Sequence, residues 1–118
     1  MPRNMSFALT TEQFKNRTKT VTRRKGWKFL KPGDVVMGCM KCMGLKPGEK
    51  LERLGLIRIN DVRREPLYRM FEKHGYGLAD TTREGFPSMG VLEFMDMFCD
   101  HMGGDYYQMV TRIEYEYL

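Results

Sequence analysis

Long hydrophobic runs are missing from this sequence of 118 residues. No run approaches the roughly 20 apolar residues that a helix needs to cross a bilayer, which argues against a membrane-spanning helix. The first five residues, 1–5, also lack the apolar stretch of a signal peptide. The three cysteines are an odd number, which is more typical of a reducing compartment than of a disulfide framework. We therefore expect a cytoplasmic protein that does not contact a membrane.

The length and composition predict one globular domain over residues 1–118. Apolar residues make up 42% of the chain and charged residues 30%, an ordinary mixture for a folded protein. A domain of this size buries enough surface to fold without disulfides or a structural metal. We therefore expect no cofactor.

Acidic side chains are absent between Lys15 and Lys31, a segment that carries eight lysines and arginines including its two ends. Residues 1–59 have a net charge of +10 and residues 60–118 a net charge of −5. So many like charges repel one another, and a phosphate backbone would relieve that repulsion. The alternative interpretation is a solvated surface that the acidic half of the chain balances.

Turn signals and side-chain periodicity do not show the regular strand–helix alternation of a doubly wound sheet. Strands are predicted over residues 5–9, 20–23, 35–42, 54–64 and 109–117. Helices are predicted over residues 10–18, 66–73, 79–84 and 88–102, with a capping box at Thr10, an N-cap at Ser88 and a loop over residues 74–78. The last strand is half-buried, with Arg112, Glu114 and Glu116 on its polar face. We expect an α+β fold: a small, mostly antiparallel β-barrel with flanking helices.

Two parts of the chain carry a family resemblance. The first is residues 14–24, which read FKNRTKTVTRR, followed by the turn into the next strand, LKPGDVV, at residues 30–36. The second is the strand over residues 56–62, followed by Glu84, Gly85 and Phe86 ahead of a long helix and a closing strand. In order and spacing these segments resemble the ASCH family over about residues 5–117, most closely its small bacterial and phage members.

The resemblance implies a PUA-like barrel fold, which is associated with RNA binding. One bacterial branch of the family hydrolyses N4-acetylcytidine to cytidine and acetate, and its catalytic residues correspond here to Lys19, Thr22 and Glu84. Two features depart from the family pattern. Arg17 stands where a glycine is common, and the stretch over residues 38–53 is longer.

Amide hydrolysis needs a nucleophile, a base and a group that stabilises the oxyanion. Thr22 is the candidate nucleophile. Lys19 is a candidate base if burial or nearby cations lower its pKa, and Glu84 would orient Lys19 or activate water. In a regular strand residues 19 and 22 face opposite sides, so they converge only if Lys19 lies at a bend between helix and strand. The alternatives are a pocket that binds without catalysis, or ordinary strand residues and a solvated lysine.

The basic segment supplies the candidate contacts to nucleic acid. Guanidinium groups bind phosphate in a bidentate manner, and aromatic rings stack on exposed bases. Arg23 and Arg24 point to opposite faces of a strand, so only one of them can line a cleft. We expect Phe29 in the core and leave Trp27 undecided. The predicted contacts are Arg17, Arg23, Arg24, Lys25, Trp27 and Lys28.

Cys39, Cys42, Cys99 and His101 have the residue types of a zinc site. We do not predict one, because Cys99 and His101 are separated by a single residue and Cys99 lies on the apolar stripe of the last helix. Met37, Met40 and Met43 recur every third residue beside the cysteines. They suggest core and edge packing or, alternatively, a flexible surface for a partner.

The favoured function is binding of RNA or a modified nucleoside through a basic cleft. The first alternative is an amidohydrolase that removes the acetyl group from N4-acetylcytidine. A further alternative is a phage-type protein-interaction module, suggested by the resemblance to phage members and by the methionine-rich loop. Another is a ribonuclease, since some members of the family are described as cutting RNA. The sequence leaves the oligomeric state open.

Overall fold

Five strands form one curled sheet in the order β1-β3-β4-β5-β2 in the computed structural model, which describes residues 2–42 and 44–118. β1 pairs in parallel with β3, and the other three pairings are antiparallel. The strands are β1 (Arg3–Ser6), β2 (Val21–Arg24), β3 (Val35–Cys39), β4 (Arg53–Pro66) and β5 (Met109–Tyr117). The predicted α+β, mostly antiparallel sheet is therefore confirmed.

The helices fall into two groups. A short 3-10 helix (Ala8–Thr10) and α1 (Thr11–Lys15) follow the first strand. The others, α2 (Arg69–Glu72), α3 (His74–Arg83) and α4 (Val91–Met102), lie between β4 and β5. No helix in the described part of the chain has the length and apolar character needed to cross a membrane.

The sheet is a half-barrel and not the closed barrel that the sequence predicted. In residues 2–42 and 44–118, β1 and β2 are the two edges of the sheet and do not pair with each other. Each has only four residues, too few to continue the curl until the edges meet. We call the gap between these two edges the open seam.

Two hydrophobic clusters hold the helices to the sheet. One packs α1 and the start of the chain on the curled sheet through Phe7, Phe14, Ile57, Ile113 and Tyr115. The other packs α2 and α4 on the far ends of β4 and β5; its members include Leu67, Met70, Phe94, Phe98 and Val110.

Several element boundaries differ from the predicted ones. Residues 74–78, expected as a loop, form the first part of α3. A Cβ at Gly77 would lie 2.0 Å from the carbonyl oxygen of Met70, so this glycine permits close packing of α2 and α3. β3 ends at Cys39 and not at Cys42, and Met43 lies outside the described residues.

The predicted N-cap at Ser88 is wrong, whereas Thr10 does occupy the N-cap position of α1. Thr10 makes no side-chain cap hydrogen bond. α4 begins after Gly90, whose backbone N–H donates to Glu93 Oε1 at 3.1 Å. This bond closes the first turn of α4 without the predicted hydroxyl.

Arg17 adopts the left-handed conformation that the family pattern assigns to glycine. Its φ is 61°, whereas Asn16 before it has φ −88°. The backbone N–H groups of Arg17 and Thr18 donate to the carbonyls of Phe14 and Gln13, which forms a Schellman motif at the end of α1. This turn brings the chain directly from α1 to Lys19.

We expect Arg17→Gly to be more stable than Arg17→Ala by about 1 kcal/mol, because alanine keeps the left-handed strain and glycine removes it. Urea unfolding of the two variants measures the difference. The control is Asn16→Gly, which should lower stability because its φ is ordinary and its side chain accepts a hydrogen bond from the Thr18 N–H. Equal stability of the two Arg17 variants would contradict this interpretation.

Candidate functional site

The open seam contains a pocket of about 190 Å³. The segment that follows β1 forms one wall of the pocket. β2 and Lys19, which lies two residues before β2, form a second wall, and α4 covers the pocket. Most of the lining surface is apolar. Four of its polar residues are joined in two hydrogen-bonded pairs, Lys19 with Glu84 and Arg24 with Thr22.

Lys19 lies in the bend between α1 and β2. This is the position that the sequence analysis required if Lys19 and Thr22 were to face the same pocket. Its side chain is 2% exposed, and its Nζ donates to the backbone oxygen of Glu84 at 2.8 Å and to Glu84 Oε1 at 2.9 Å. An ammonium has three protons, so one remains for a ligand. Burial lowers the pKa of Lys19, and the nearby carboxylate of Glu84 offsets part of that effect.

Thr22 and Arg24 lie two residues apart on the same face of β2. Arg24 Nε donates to Thr22 Oγ1 at 3.2 Å. Within the described part of the chain Arg24 forms no ion pair with a carboxylate within 4.0 Å. Burial lowers the pKa of this guanidinium, although Glu84 raises it. The pocket therefore holds a half-buried cation whose remaining N–H groups have no acidic partner.

Arg23 does not have the phosphate-binding position that the sequence predicted. Its side chain is fully buried and pairs with Glu84 at 2.9 Å, Asp80 at 2.5 Å and Glu65 at 3.4 Å. Arg23 borders the pocket, but its guanidinium turns toward Asp80 on α3 and Glu65 on β4, whereas Arg24, its neighbour on the strand, points into the pocket. Arg23 thus holds Glu84 in place from behind.

Arg112 also differs from expectation, since it was assigned to a polar face and is 4% exposed. It makes two hydrogen bonds of 2.8 Å to Asp80, through Nε and Nη2. Burial by itself raises the pKa of Asp80, but the hydrogen bonds and charges of Arg112 and Arg23 outweigh it and hold that pKa well below its usual value. We call Arg23, Glu65, Asp80, Glu84 and Arg112 the ion cluster.

The remaining predicted contacts to nucleic acid lie near the surface. Arg17, Lys25 and Lys28 are exposed, and Trp27 is half-buried against the core. Arg17 stacks over the Tyr117 ring, 5.5 Å from its centre, outside the pocket lining. Phe29, expected in the core, is 49% exposed, because β2 ends at Arg24 and the chain turns outward after it.

The cysteines do not assemble around a metal site in the described residues, where no group of three or more potential ligands meets. Cys39 is buried on β3, and burial raises the pKa of its thiol to about 11. Cys99 lies on α4 and accepts a weak hydrogen bond from Gln108. His101 instead reaches the mouth of the pocket.

Sequence reasoning missed the apolar walls of the pocket. Phe7, Phe86, Phe94, Met97 and Phe98 line it. Phe98 lies next to Cys99 on the apolar stripe of the last helix, but a stripe does not reveal that one end of it covers a pocket and not the core. Whether the end of the stripe meets a pocket or the core depends on the gap between β1 and β2.

Comparison with known proteins supports the fold alone. No protein-family model matches the chain, and no curated protein matches its sequence. Two solved structures resemble it along its whole length, each with a TM-score of 0.64. The hypothetical protein PH0355 is 20% identical over the full length of both chains. The protein EF3133 from Enterococcus faecalis V583, of family DUF984, is 14% identical, and the alignment covers 80% of that chain.

We expect Asp80→Asn to lower the free energy of unfolding by about 3–5 kcal/mol, because it leaves two buried guanidinium groups short of a charge partner. The control is Asp61→Asn, because Asp61 lies 3.9 Å from the same Arg112 but its side chain is 48% exposed, so its loss should cost less than about 1 kcal/mol.

The pH dependence of this difference has a definite sign. The folded-state pKa of Asp80 is depressed, so its contribution is complete above its unfolded pKa of about 3.9 and is lost as the pH falls toward the depressed value. Urea unfolding should therefore show a constant gap between wild type and Asp80→Asn near neutral pH and a shrinking gap below about pH 4. Equal effects of the Asp80 and Asp61 variants would rule out a special role for Asp80.

Proposed function

We propose that the chain is an ASCH-type domain with a PUA-like fold, and that its pocket binds an unstacked nucleobase of RNA or of a modified nucleoside. The observation that carries this proposal is the composition of the pocket, which combines aromatic side chains with the hydrogen-bond donors Lys19, Thr22 and Arg24. Aromatic side chains and a hydrogen-bonding edge are the means by which proteins recognise a base outside a helix.

The size of the pocket suits a base. A volume of about 190 Å³ is below the roughly 300–1,000 Å³ of pockets that take drug-sized ligands. It has room for a flat ring system and little else. A larger cofactor would have to extend through the open seam into solvent.

The polar side chains of the pocket favour a ligand that is rich in hydrogen-bond acceptors. Lys19 has one free proton, the Thr22 hydroxyl accepts from Arg24 and keeps its own proton to donate, and Arg24 has unpaired N–H groups. Carbonyl oxygens and the unprotonated ring nitrogen of cytosine would satisfy these donors.

We expect cytidine to bind in isothermal titration, and Lys19→Met to weaken that binding at least about tenfold, because the lost donor is buried with its partner. The control is Lys28→Met, which removes an exposed lysine and should leave the affinity unchanged. Circular dichroism of Lys19→Met separates a lost contact from a lost fold. Equal losses in the two variants, or no binding by folded wild type, would contradict the proposal.

The second candidate function is hydrolysis of an N4-acylated cytosine, and the lowered pKa of Lys19 is the observation that favours it. A neutral Lys19 would take the proton of Thr22 as its oxygen attacks the acyl carbon. Arg24 would stabilise the resulting oxyanion. Protonation of the leaving N4 and attack of water on the acyl-threonine would then release cytidine and acetate.

Incubation with N4-acetylcytidine, followed by chromatography, tests this second function. Wild type should release cytidine, whereas Lys19→Ala and a blank without protein should not. Because the reactive form of Lys19 is neutral and its pKa is lowered, kcat/KM should rise with pH and level off below the ordinary lysine value of about 10.4. Release that falls as the pH rises would exclude Lys19 as the base.

A further inference from the structure

A second concavity continues from the pocket along the open seam. It is an open groove of about 690 Å³ between β1 and the chain that leaves β2. Arg24 and Met102 line both the groove and the pocket. Arg24 therefore lies at the boundary between the two spaces, where a ligand that filled the pocket would leave it.

The groove is basic. Arg3, Arg24 and Lys25 line it, and none of the acidic residues in the described part of the chain does. Lys25 Nζ donates to the backbone oxygen of Met102 at 3.2 Å, which holds its charge at the groove edge without neutralising it. A chain of phosphates would meet complementary charge along this path.

The groove also presents two aromatic rings, one exposed and one half-buried against the core. Phe29 is 49% exposed, and its ring centre lies 5.4 Å from that of Trp27. The guanidinium of Arg3 lies 4.3 Å from the centre of the Phe29 ring. Exposed aromatic rings next to cations are the surfaces on which single-stranded bases stack.

We propose that this groove is a second nucleotide subsite, which binds the neighbour of the nucleotide whose base occupies the pocket. The phosphate between the two nucleotides lies on Arg24, and the neighbouring base stacks on Phe29 and Trp27. This inference rests on the proposed nucleobase pocket. It identifies the ligand as a segment of single-stranded polynucleotide and not a free nucleoside.

Titration of a short ligand series tests the subsite. Cytidine, its 3′- and 5′-monophosphates, and the ribo- and deoxyribo-dinucleotides that extend cytidine on either side are compared by calorimetry. Fluorescence of Trp27, the one tryptophan of the chain, is recorded in parallel. The favoured dinucleotide should bind about tenfold or more tighter than the matching monophosphate, since each stacked base contributes about 1–3 kcal/mol. Only the favoured dinucleotide should quench the fluorescence of Trp27. Whether its ribo- or its deoxyribo- form binds more tightly shows whether the ligand is RNA or DNA.

Two variants separate the contacts. Phe29→Ala should remove the gain of the dinucleotide and leave monophosphate affinity unchanged, whereas Phe71→Ala, a phenylalanine of similar exposure on α2, should change neither. Arg24→Gln should bring the monophosphate down to the affinity of its nucleoside. Dinucleotides that bind no tighter than monophosphates, or a Phe29→Ala variant that weakens both equally, would overturn the subsite while leaving the pocket in place. A folded protein that binds no member of the series would overturn both proposals.

Discussion

The contact of Asp80 with two buried guanidinium groups sets the geometry of everything around the pocket. Asp80 lies on α3, Arg23 on β2 and Arg112 on β5, so this one carboxylate fixes the helix to two neighbouring strands. Buried charges are costly unless each has a partner, and here three acidic and three basic side chains are buried together: Lys19, Arg23, Glu65, Asp80, Glu84 and Arg112. The arrangement tolerates little displacement, because a shift of α3 would leave one of these charges unpaired.

The buried charges also make the pocket rigid, because they share Glu84 with it. Glu84 ends the ion cluster on one side and binds Lys19 on the other, so the same carboxylate belongs to the supporting network and to the pocket wall. The half-barrel supplies the space, because the two short edge strands stop before they meet. Arg24 projects into the open seam from one of those edges. Closure of the barrel would remove the gap in which Arg24 lies and into which the pocket opens.

The sequence predicts the local features of this protein well and its long-range contacts poorly. The turn at residues 31–34, the long strand β4 and the last strand follow from patterns of neighbouring residues. Lys19 and Glu84 are 65 residues apart, and only the family resemblance suggested that they act together. The burial of Arg23 and Arg112 depends on Asp80, which lies in a helix that the sequence did predict, although only from residue 79 onward because two glycines near its start resemble a loop. Nothing in the local sequence indicates that this aspartate meets two arginines of the sheet. The exposure of Phe29 likewise depends on where β2 ends, and hydrophobicity carries no information about that.

The central claim is that a base enters the pocket beneath α4, and methyl NMR of the methionines tests it most directly. Met97 and Met102 line the pocket, whereas Met70 and Met95 are fully buried in the second cluster and do not line it. With 13C-labelled methionine methyl groups, titration with cytidine 5′-monophosphate should shift the Met97 and Met102 signals through the ring current of the bound base. The Met70 and Met95 signals should stay nearly unchanged. Shifts confined to other methionines, or no shifts at saturating ligand, would contradict the account.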